Sequence, residues 1–143
     1  MLNVPPYTLW TAWVLVGVAL YVCFATHTPA SISAPLMLLS VVTLIHHSRR
    51  DAWVIEDGIK DLDLLCIAIC VSQMCRVMKL DRRWWAQLWM CALLIAIPPY
   101  VLGTDGSVIH TVAAMHAFAH LIFVFAITNK SGLVVRASST KIV

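Results

Sequence analysis

Residues 108–127 read VIHTVAAMHAFAHLIFVFAI, a stretch with no Lys, Arg, Asp or Glu and almost wholly apolar. As a helix it would be about 30 Å long, the thickness of a bilayer's hydrocarbon core. Its exceptions include His116 and His120, four residues apart and therefore on one helical face. Imidazoles are costly inside a bilayer unless they pair, bind something or line a wet cavity, so the two mark a site.

The rest of the chain has the same character. Of 143 residues 61% are hydrophobic and 12% charged, a balance that no ordinary soluble domain of this size could carry on its surface. The expected fold class is an all-α integral membrane protein, a compact bundle of about five transmembrane helices forming one domain. Windows long enough to cross the bilayer place spans near 8–26, 30–47, 61–79, 84–102 and 108–128, followed by a short tail, 129–143. The second begins near Pro35, tolerated in a first helical turn, and the fourth ends at Pro98-Pro99 before a turn from Gly103 to Gly106. The first apolar segment lacks a basic leader and is followed by several of equal strength, which argues against a signal peptide.

Orientation is read from Lys and Arg. Arg49, Arg50 and Lys60 fall on one side of a five-span chain, and Arg76, Lys79, Arg82, Arg83, Lys130, Arg136 and Lys141 on the other. The N-terminus is therefore expected outside or in a lumen and the C-terminus in the cytosol, where the glycosylation pattern at Asn129-Lys130-Ser131 would go unused. The net charge of +3 follows from that bias and does not point to nucleic acid. Trp10, Trp13, Trp84 and Trp85 lie near span ends and read as interfacial anchors. Cys23, Cys66, Cys70, Cys75 and Cys91 all fall within spans, as free buried thiols do, and give no disulfide framework.

Two histidines at i and i+4 can offer two nitrogens to one metal ion, and a third from another helix would complete a catalytic zinc set with one position open. His46 or His47, at the end of the second span, can supply it. Zinc would lower the pKa of a bound water toward about 7. A nearby carboxylate would act as general base and then acid. Asp63 is the best placed, with Asp57 and Asp61 close by, and Ser40 or Thr43 can hydrogen-bond a supporting group or a developing oxyanion. The plainer alternatives are interfacial histidines at 46 and 47, helix-to-helix hydrogen bonding by His116 and His120, and a solvated face for Asp51, Glu56, Asp57 and Asp61. That face would form a short interfacial helix in which Trp53 and Ile55 dip inward. His27 and His110 carry no specific signal.

The order of these elements resembles the superfamily of seven-helix membrane hydrolases that includes the alkaline ceramidases, the progestin and adipoQ receptors and the myomaker-like proteins. His46 is followed by sixteen residues and then Asp63, within Leu62-Asp63-Leu64, similar to the receptor branch. His116-Ala-Phe-Ala-His120 and the apolar run behind it are similar to the last-helix motif, and His46-His47 resembles the myomaker-type branch. The ceramidase branch has a shorter interval, by which Asp57 would match His46. The family's hydroxyl stands four residues before its histidine, as Thr43 does before His47, whereas Ser40 lies six before His46. Two of the seven helices are missing between Asp63 and His116, a deletion that preserves chain direction.

The resemblance implies a Zn2+ held by His46 or His47 with His116 and His120, and Asp63 near its bound water. The function expected first is zinc-dependent intramembrane hydrolysis of an amide or ester bond of a membrane lipid, ceramide-like amides favoured, with the bilayer as partner and a homo-oligomer left open. The alternatives are a receptor-like or fusion-related membrane protein with a structural zinc site and, further off, a haem-binding membrane protein or a small channel.

Overall fold

The computed structural model describes residues 6–26, 28–48, 58–77, 80–103 and 106–139, with residue 60 and residues 130–139 described by their backbone alone. Its elements are five α-helices, α1 (Tyr7–Ala25), α2 (Ala30–Ser48), α3 (Gly58–Val77), α4 (Arg82–Leu102) and α5 (Ile109–Ser139). Four of them, α1, α2, α4 and the Ile109–Asn129 part of α5, are long and apolar enough to cross a membrane. α3 is as long but carries Lys60, Asp61, Asp63 and Arg76, so it falls short of the fifth apolar span expected at 61–79.

The helix ends have local reasons, and the prolines sit differently from expectation. α2 starts at Ala30, as the span near 30–47 has it, because Pro29 supplies the opening carbonyl, which accepts from the amides of Ile32 (2.9 Å) and Ser33 (3.0 Å). Pro35 then sits inside the helix, where it removes one backbone donor. α4 passes through Pro98 and Pro99 and stops at Leu102, where Gly103 takes a positive φ of 78° that an L side chain would resist. At its other end Asp81 caps the helix, its carboxylate accepting from the Trp84 amide at 2.9 Å. The tail expected from 129 continues α5 as helix to Ser139; it contains no proline, and Gly132 costs about 1 kcal/mol relative to Ala.

Helix adjacency runs α3, α2, α1, α5, α4. Among the described residues α3 does not approach the backbone of α4 or α5, nor α2 that of α5, so the bundle is an arc with its opening between α3 and α4. α1 is the keystone, presenting Thr8, Thr11, Ala12, Leu15, Ala19 and Val22 as one helically spaced buried face. Alanines at that face let α2 and α5 come close on either side. On α3 the buried stripe is Asp63, Cys66, Cys70 and Met74, so the carboxylate belongs to the same inward face as the thiols.

Trp84 is 2% exposed, unlike Trp10, Trp13 and Trp85, and joins Cys66, Cys70 and Met74 in the core. It packs within the bundle instead of anchoring it. The thiols of Cys66, Cys70 and Cys91 are buried, that of Cys75 is exposed, and all five cysteines are free. Large side chains such as Phe24, Trp89, Tyr100 and Val101 stand on the outside, an apolar exterior that suits lipid rather than water.

Candidate metal centre and cavity

α2 ends on three polar positions of one buried face, Thr43, His46 and His47. Being adjacent, the two histidines point about 100° apart around the helix, a consequence of 3.6 residues per turn. His47, 7% exposed, turns to meet His116 and His120 of α5. One ligand atom from each of the three lies within 4.8 Å of the others. Their rings stand edge to face, with centroids 5.0 Å apart for His47 and His116, 4.9 Å for His47 and His120, and 4.7 Å for His116 and His120.

His46 is not one of the three. Its ring centroid is 4.8 Å from that of His47, and its side chain lines a cavity together with Asp63. Asp63 is 8% exposed and accepts a hydrogen bond at Oδ1 from the Thr43 hydroxyl, which joins α2 to α3 beside the histidines. Ser40 does not reach this group. It is fully buried, and its hydroxyl donates to the Met37 carbonyl of its own helix at 2.8 Å. Asp57, His27 and the proposed interfacial segment around Trp53 and Ile55 lie outside the described residues. Asp61 is exposed at the start of α3.

The cavity measures about 410 Å³, within the range of small-molecule sites. Thr43, His46, Asp63, His116 and His120 gather on its wall, while Leu15, Leu39, Ile67, Val71, Ile95 and Phe123 are among its apolar lining. It lies where α3 and α4 stand apart, with residues of all five helices around it.

Comparisons with protein-family models, with curated proteins and with solved structures each found no match to this chain.

The donor set suits a tetrahedral zinc or a similar ion. Zinc–nitrogen distances of about 2.0–2.1 Å put ligand nitrogens about 3.3 Å apart, so the rings would close by up to about 1.5 Å, a movement within the reach of side-chain torsions. Three neutral nitrogens leave a fourth position open, as catalytic sites do. A haem fits poorly, because two axial imidazoles must face each other across a macrocycle, whereas these rings stand against one another.

Thr11 was not foreseen. Its Oγ1 lies 2.9 Å from His120 Nδ1, bringing α1 into contact with the cluster. The available signal was a pair of hydroxyl residues, Thr8 and Thr11, on the same face of an apolar helix as two alanines.

Proposed function

We propose that this chain is a multi-pass membrane hydrolase that uses a zinc ion to cleave the amide or ester bond of a lipid, with ceramide-like amides the favoured class. The observation that carries this reading is the convergence of His47, His116 and His120 within 4.8 Å, beside an Asp63 held by Thr43 on the wall of the same apolar cavity. The resemblance in the order of hydroxyl, histidine, aspartate and HxxxH supports it.

His47, His116 and His120 hold the metal. When bound, zinc supplies a Lewis acid for the scissile carbonyl and makes water a better nucleophile at neutral pH. Asp63 takes a proton from water and returns it to the leaving group, and the Thr43 hydroxyl keeps its carboxylate aimed. The aliphatic wall accepts the acyl chain, which enters from the bilayer where α3 and α4 part. α3 crosses with Arg76 exposed near one end, where it reaches the interface, and with Asp63 facing inward. The Lys and Arg bias puts the C-terminus in the cytosol.

The test is metal content by elemental mass spectrometry on detergent-purified protein, followed by release of fatty acid from ceramide in mixed micelles. About one zinc per chain is expected, lost in the His116→Ala, His120→Ala double variant. Asp63→Ala should keep the metal and lose turnover. A parent without metal, or turnover that survives Asp63→Ala and His116→Ala, refutes the hydrolase.

The separation of α3 from α4 favours a second reading, a structural zinc site in a receptor-like or fusion-related protein. A site that admits bulk water gives up much of its electrostatic advantage. Tight zinc binding with no fatty acid released from any lipid amide or ester would select this second reading.

A further inference from the structure

α1 contributes no metal ligand, yet one of its side chains touches the centre. Thr11, 8% exposed, places Oγ1 at 2.9 Å from His120 Nδ1. The same oxygen lies 3.2 Å from the Tyr7 carbonyl and 3.1 Å from the Thr8 carbonyl. A carbonyl can only accept, and two of them compete for the single hydroxyl proton of Thr11. With that proton donated to the backbone, Oγ1 accepts and the hydrogen between Thr11 and His120 belongs to Nδ1. A neutral imidazole carries one N–H, so in that arrangement the lone pair is on Nε2.

We infer that Thr11 is a positioning residue of the metal centre, holding His120 in the Nδ1–H tautomer so that Nε2 is the nitrogen offered to the ion. A metal-bound histidine commonly donates its other N–H to an acceptor that sets ring orientation and basicity. Here the acceptor is a hydroxyl rather than a carboxylate or carbonyl, and the hydroxyl is itself oriented by the first turn of α1. The bond also ties α1 to α5, so a purely structural role is the competing account. The inference rests on the metal-centre reading, although the tautomer does not depend on a metal.

Two measurements on Thr11→Val and Thr11→Ser separate these accounts. The first is the nitrogen-15 spectrum of ring-labelled, metal-free protein in detergent, with the His120 signal assigned by its loss in His120→Gln. The parent and Thr11→Ser should show the Nδ1–H tautomer, and Thr11→Val a mixture. The second is zinc affinity by chelator competition, in which Thr11→Val should bind about 10- to 100-fold more weakly and Thr11→Ser close to the parent. An Nε2–H tautomer in the parent, or a tautomer unchanged in Thr11→Val, overturns the inference. Equal zinc affinity in parent and Thr11→Val overturns the positioning role and leaves the centre standing. No zinc uptake by the parent overturns the centre and the positioning role with it, while the metal-free spectra still decide the tautomer.

Discussion

Zinc should stabilise this protein by bonding α2 to α5, whose backbones do not approach each other. His47 is on α2 and His116 and His120 on α5, and among the described residues α1 packs its backbone against both helices while their imidazole rings meet only edge to face. Drawing ligand nitrogens from as much as 4.8 Å to about 3.3 Å links the two helices directly. At free zinc a hundredfold above its Kd the gain is about 2.7 kcal/mol. For a chain of this size that corresponds to a rise in melting temperature of about 5–10 °C. Intrinsic fluorescence of the six tryptophans can follow melting of chelator-treated protein in detergent, with zinc added back and magnesium as control. His47→Ala keeps the i, i+4 pair on α5 but removes the cross-tie, so its zinc shift should nearly vanish. His46→Ala should retain the shift. The reverse pattern, or an equal shift with magnesium, would refute a centre built from His47, His116 and His120.

Thr43→Val removes a hydrogen bond to a carboxylate, worth about 1.5–3 kcal/mol. Turnover of a lipid amide should fall about ten- to a hundredfold with zinc content unchanged, whereas Ser40→Ala, which loses only a bond to its own helix, should behave as the parent in the same assay. Comparable losses in both variants would contradict the assignment. Trp84→Ala should destabilise by about 3–5 kcal/mol, since its side chain is 2% exposed and belongs to the buried core. Trp89→Ala, 66% exposed, should cost about 0.5 kcal/mol or less, and equal unfolding midpoints for the two variants would argue against a packed Trp84.

The helices were legible because apolar runs of bilayer length leave few other solutions, and their register is visible in single residues. Asp63 is three positions before Cys66 and seven before Cys70, so it shares their inward face, while Asp61 does not. The choice between His46 and His47 was not legible. Adjacent residues on a helix point in different directions, and which one meets α5 depends on how α1 spaces the two helices. Trp84 was misread because position near a span end says nothing about rotation about the helix axis. The reach of Thr11 to His120 is a tertiary fact between residues 109 positions apart, hidden behind an ordinary-looking apolar helix.

The arc also explains how the constellation is assembled. Every polar group of the centre comes from α1, α2, α3 or α5, and these four follow one another without a break in the order α3, α2, α1, α5. α4 supplies wall residues such as Leu88, Ile95 and Ala96, but no ligand, carboxylate or hydroxyl. The opening between α3 and α4 therefore falls where no functional side chain is needed. On the proposed hydrolase reading, substitutions in α4 would therefore change which lipid is held and how well water is excluded, rather than whether the centre can form.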